Sequence, residues 1–166
     1  MASTTQAHLP ALADPHQRDD VGNQMQATLV ELVDLSLLGK QLHWSVVGPL
    51  FKPLHEQLDE FVDSWRELSD LVAERAVALG HYVDGQSATV SASSGLHKVQ
   101  RGAVADHVVV REVTERLNIV ADSVRERMDR MGDIDAASQD VLIEVLRELE
   151  KQLWMIRAQF PPVGGR

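Results

Sequence analysis

The chain has 166 residues, enough for one domain with a buried core and too few for two comfortable ones. Its 44% hydrophobic and 25% charged residues are those of a globular protein, and the absence of cysteine removes disulfides, thiolate metal sites, iron–sulfur clusters and cysteine nucleophiles together. A net charge of −9 repels phosphate backbones unless a basic patch overrides it, and 4% aromatics leave little for base stacking.

No apolar run approaches the roughly 18 residues of a membrane helix. The first twenty residues lack the basic-then-apolar order of a signal peptide. A cytoplasmic protein with no membrane partner is the expectation.

Residues 1–20, with Pro10 and Pro15, read as a flexible N-terminal tail. Four long helical patterns follow within a domain of residues 21–160. The first runs from about Gly22 to Val47, with Met25, Leu29, Leu32, Val33, Leu37 and Trp44 near one stripe. Gly48-Pro49 ends it. The second runs from about Leu50 to Leu79, with Leu54, Leu58, Phe61, Trp65, Leu68 and Val72 inward, and Gly80 stops it. A long link, 80–101, is expected to hold a short helix near Ser87–Ser94. The third helix runs from about Gly102 to Met131, and the fourth from about Ala136 to Phe160. Residues 161–166 form a short C-terminal tail. No strand pattern stands out. Two short-linked hairpins joined by one long crossover define an all-α, ferritin-like four-helix bundle with a short extra helix in the long link between helices two and three.

Seven histidines are present. His8, His16, His81, His97 and His107 read as solvated. His43 and His55 have different neighbours. His55 and Asp59 are four apart on the second helix and share a face, as do Asp70 and Glu74. Asp59 and Asp70 are eleven residues apart. That is about 20° around the helix but about 16 Å along it, so they face one side without sharing a metal. Each end therefore carries half a site. A second copy of the helix, antiparallel across a two-fold axis, would complete two sites at once. His43, near the end of the first helix, joins the His55 half through the hairpin. Two histidines and three carboxylates suit Fe(II), Mn(II) or Zn(II), and a set with open positions suits redox chemistry on iron. An ordinary solvated helix face is the competing reading.

Three blocks narrow the choice. Lys40-Gln-Leu-His43-Trp44-Ser-Val-Val-Gly48-Pro49, then Leu54-His55-Glu56-Gln-Leu-Asp59, then Asp70-Leu-Val-Ala-Glu74-Arg75-Ala resemble the signature of Dps proteins, the ferritin-like mini-ferritins. The resemblance implies a catalytic ferroxidase centre at a subunit interface, with iron as the metal. On it, His43 and the neighbour's Asp70 and Glu74 bind iron most directly. His55 and Asp59 complete a weaker position, and Trp44 lies beside the centre. It also implies a hollow homo-dodecamer and an acidic three-fold pore admitting Fe(II), for which Asp135, Asp140 and Asp129 are the candidates. Glu56, Glu60 and Asp63 are either a solvated face or an inward surface that nucleates mineral. No histidine has a glutamate three residues before it, which argues against the Glu-x-x-His di-iron site of classical ferritins.

The implied function is iron oxidation, preferably by hydrogen peroxide, and iron storage, protecting against oxidative damage. A second reading is a nucleoid protein that coats DNA. It holds in the family for members with basic tails, whereas this N-terminal tail sets Arg18 against Asp14, Asp19 and Asp20. A third is a helical scaffold with no metal chemistry.

Overall fold

The computed structural model describes residues 14–159. Helix α1 spans Pro15–Ser45, α2 Phe51–Ala78, α3 Ser87–Ser93, α4 Asp106–Met131 and α5 Ala136–Arg157. Two two-residue strands, β1 (Val46–Val47) and β2 (Val104–Ala105), pair in parallel, Val46 against Val104 and Val47 against Ala105. The bundle is thus two antiparallel hairpins, α1–α2 and α4–α5, joined by a long link that holds α3.

Three boundaries differ from the sequence expectation. Helix α1 starts at Pro15, so residues 15–20 are helix and not tail. Proline is favoured at the first helical position, and the Asp14 side chain caps the end by accepting from His16 N at 2.9 Å. Arg130 then holds Asp20 with two bonds of 2.9 Å, tying the first turns to α4. Residues 46–47 leave α1 to form β1, a pairing too short to register as an alternating pattern and completed only by the distant β2. Helix α4 starts four residues after Gly102, because 104–105 are drawn into that pair. The expected ends at residues 1–13 and 160–166 lie outside the described residues.

The expected inward positions of α2 are all buried. On α1, Met25, Leu29 and Leu32 are buried, but Leu37 and Trp44 are 56% and 68% exposed. Two turns separate these two, so they share a face of α1 that is turned away from the core. In the core, Trp65 donates its indole N–H to Gln152 Oε1 at 2.6 Å, satisfying the one polar atom of a fully buried ring. Glu31 and Arg127 form a two-bond ion pair (2.6 and 2.8 Å) between α1 and α4.

The long link is an ordered strap. Gln26 and the Asp84 backbone exchange two bonds of 2.8 and 2.7 Å. Ser94 donates to Asp34 at 2.5 Å. Buried Arg116 holds the His97 carbonyl at 3.1 and 2.7 Å and the Lys98 carbonyl at 3.2 Å. These bonds account for backbone groups that a loose loop would leave to water. His81, expected to be solvated, is half-buried against the bare Cα of Gly22, where a Cβ would lie 2.3 Å from the ring.

Asp135 caps α5, accepting from Ser138 N at 3.2 Å, and pairs with Arg75 of α2 at 2.6 Å. Burial pushes its carboxyl up, but the Ser138 hydroxyl and the Arg75 guanidinium outweigh this and hold it below the ordinary carboxylate range. Asp135→Ala should therefore destabilise the protein at neutral pH by about 1–2 kcal/mol, the cost of a lost cap. A depressed folded-state value means stability present above the unfolded value and lost as pH falls through the folded one. The gap between wild type and variant should begin to narrow below about pH 4 and close only below the depressed folded-state value. Urea unfolding at about pH 7 and about pH 2 measures both.

Candidate metal centre

The histidine half of the site is built at the closed end of the α1–α2 hairpin. His43 lies in the last turn of α1, where carbonyls lack intrahelical partners. His55 lies in the second turn of α2. Their rings stack with centroids 3.6 Å apart and planes 21° from parallel. Each Nδ1 faces the other residue's backbone carbonyl, His43 to His55 O at 2.8 Å and His55 to His43 O at 3.0 Å. A carbonyl only accepts, so both Nδ1 atoms carry the proton and both Nε2 atoms are left with a lone pair. That is the tautomer a metal ligand needs, set by its outer partner.

Asp59 stands one turn further along α2, with its Oδ1 3.2 Å from His43 Nδ1. Lys40, one turn before His43 on α1, forms an ion pair with the same oxygen. The Lys40 ammonium is the main reason the Asp59 carboxyl lies below its ordinary range; partial burial opposes it and the neighbouring histidines assist. Lys40 thus occupies the Asp59 carboxylate with a cation of its own. Spacing along the sequence gives no sign of this pairing, because only the hairpin brings position 40 onto position 59.

The acid half behaves as the helix geometry requires. Helix α2 is continuous from Phe51 to Ala78, so Asp70 is about 16 Å and Glu74 about 22 Å along the axis from Asp59. Both are exposed. Among the described residues of one chain, no three His, Asp or Glu side chains converge to hold a metal ion. Each half is open.

Around the histidines lies a collar of exposed apolar side chains. Trp44 is 68% exposed, Phe51 47% and Val47 46%, and the Phe51 ring centroid is 5.1 Å from that of His55. Trp44 follows His43 in the chain and lies outside the chain's own core. Glu56, Glu60 and Asp63 are exposed on α2; Lys52 pairs with Glu56, and Arg66 lies 3.6 Å from Asp63. Of the pore candidates, Asp135 is half-buried in its cap and ion pair, while Asp129 and Asp140 are exposed.

A second missed residue is Asp106. It is 7% exposed, accepts Leu50 N at 3.0 Å, and sits against Gly48. An acid at the head of an apolar run signals a helix start, but placing that start at Gly102 hid it.

The ferritin-like domain matches residues 22–161 of this chain. Within that class, the chain is 34% identical over 160 residues to the "DNA protection during starvation protein" of Mycolicibacterium smegmatis, covering 95% of this chain and 86% of that protein. The Mycobacterium smegmatis Dps structure superposes with a TM-score of 0.90 at 31% identity, covering 95% of this chain and 96% of that one. The Dps of Microbacterium arborescens, in its high iron form, superposes at 0.84 with 28% identity, covering 89% and 96%. The chain belongs to the Dps family, whose general roles are iron storage and DNA protection.

Removing Lys40 should leave Asp59 to a metal. Lys40→Met is expected to tighten Co(II) binding at the histidine half by about fivefold at most, the modest weight of a partly exposed ion pair. Calorimetric titration of wild type and variant measures it.

Proposed function

We propose that this protein oxidises Fe(II) at centres shared between two copies of the chain and stores the ferric product inside a hollow homo-dodecamer. The observation that carries this reading is the division of donors along α2. His43, His55 and Asp59 gather at one end, while Asp70 and Glu74 stand exposed at the other. Neither set closes alone, and a two-fold axis that runs two α2 helices antiparallel supplies each with its complement. The apolar collar of Trp44, Val47 and Phe51 suits burial against a second copy. Iron in the M. arborescens relative supports iron as the substrate here.

In this scheme His43 Nε2 and the partner copy's acid pair hold the first Fe(II), and His55 with Asp59 receive the second once Lys40 yields. Hydrogen peroxide is the preferred oxidant. Each of two ferrous ions gives one electron, and the two electrons break the peroxide O–O bond. Water completes the ferric oxyhydroxide and protons are released. Consuming Fe(II) and peroxide together removes the reagents of hydroxyl-radical chemistry. Asp140 and Asp129 are the pore candidates with exposed carboxylates, and Glu56, Glu60 and Asp63 the nucleation candidates. The −9 charge per chain opposes coating of DNA, so the protection named in the relatives comes here through iron and peroxide removal. No helix among the described residues is long and apolar enough to cross a membrane, and the reading places the protein in the cytoplasm.

Asp70→Ala/Glu74→Ala and His43→Ala/His55→Ala shells should each lose fast Fe(II) oxidation. Mixed shells of the two chains should regain part of it, because each contributes the half the other lacks. Stopped-flow absorbance with peroxide and with oxygen reads this; verified mixed shells without activity would refute the shared centre. Separately, Asp140→Asn should slow iron uptake at low salt and lose that difference at high salt, where the pore field is screened. Equal salt dependence in both proteins would move the pore elsewhere.

A further inference from the structure

We propose that Asp106 is the positioning residue for the histidine pair. It acts as a clasp that reaches from the head of α4 to the turn of the α1–α2 hairpin. The inference rests on the reading above for its activity arm and on geometry alone for its structural arm.

Helices α2 and α4 both lack a side-chain cap from their own N-cap residues, Leu50 and Ala105. One carboxylate serves both ends. Asp106 Oδ2 accepts Leu50 N at 3.0 Å, and Oδ1 accepts His107 N at 2.8 Å. A negative charge at the head of a helix is favourable, and the Leu50 bond is the main cause that holds the Asp106 carboxyl below its ordinary range. The fit is close. Gly48 has φ +126°, and a Cβ there would lie 2.6 Å from Asp106 Oδ2. Only glycine allows both the backbone and the approach.

The clasp frames the histidines from both sides. His43 is three residues before Val46, which β2 holds through Val104. His55 is five residues after Leu50, which Asp106 holds. The stack and the two Nδ1–carbonyl bonds between the histidines depend on how the end of α1 faces the start of α2. The parallel strand pair and the Asp106–Leu50 bond tie that turn to the head of α4.

The test uses the full chain with Asp106→Ala, Asp106→Asn, Gly48→Ala and the double variant Gly48→Ala/Asp106→Ala. Glu31→Gln serves as a comparison, since it loosens α1 from α4 twelve residues before His43, about 18 Å along α1. Circular dichroism and particle size verify fold and assembly. The first readout needs no metal: long-range ¹H–¹⁵N spectra report the tautomers of His43 and His55. Asp106→Ala should mix the tautomers of both rings, Asp106→Asn should restore much of the wild-type pattern by keeping an acceptor for Leu50 N, and Glu31→Gln should leave it unchanged. The second readout is affinity. Asp106→Ala should weaken Co(II) binding and raise the half-saturating Fe(II) by up to about tenfold, the low end of what losing the outer partner of a ligand costs, because the Nδ1–carbonyl bonds it positions are those outer partners, with a smaller change in maximal rate. The effects of Gly48→Ala and Asp106→Ala should not add, because both act through one contact.

Wild-type tautomers and wild-type Co(II) affinity in folded Asp106→Ala overturn the proposal, as does equal disturbance by Glu31→Gln. If alanine prevents folding, Asp106→Asn and Gly48→Ala carry the same comparison. A wild-type chain that oxidises no Fe(II) overturns the function proposed above, while the metal-free spectra still decide the clasp.

Discussion

Helix α2 carries candidate metal donors toward both of its ends and is too straight to bring them together. A rise of about 1.5 Å per residue keeps Asp59 and Asp70 about 16 Å apart, with a shared face and no shared metal. The rest of the molecule conforms to that separation. The hairpin partner α1 adds His43 at one end only. The core lies on the opposite side of α2, through Leu54, Leu58, Phe61, Trp65, Leu68 and Val72, and leaves the donor face uncovered. The chain buries its core while these candidate donors stay apart, which is why the proposed centre calls for a second copy.

At the histidine end, preparation is visible in the backbone. Two carbonyls near a helix end and a helix start each take an Nδ1–H, so the rings are oriented before any metal arrives. Lys40 holds Asp59 in the meantime. The lysine gives this end of the hairpin a resident cation beside the carboxylate.

Other polar groups that looked available have structural work. Asp135 joins a cap and a cross-helix ion pair, Arg116 ties the long link to α4, and Asp106 joins two helix heads. Burial separates these from the exposed carboxylates Asp129, Asp140, Asp70 and Glu74.

By itself the sequence determined the four long helices, the two hairpins, the long crossover with its short helix, and the spacing of the candidate donors along α2. These are local matters: hydrophobic periodicity, glycine and proline at the breaks, and a fixed rise per residue. Only the tertiary structure decided the rest. It turned Leu37 and Trp44 outward, because a stripe on α1 shows period and not which edge meets a neighbour. It paired β1 with β2, and placed Lys40 on Asp59 and Asp106 on Leu50. It also set the histidine tautomers, which depend on hydrogen bonds across the hairpin. Each of these joins residues far apart in sequence, and neither periodicity nor spacing along one helix encodes a partner on another.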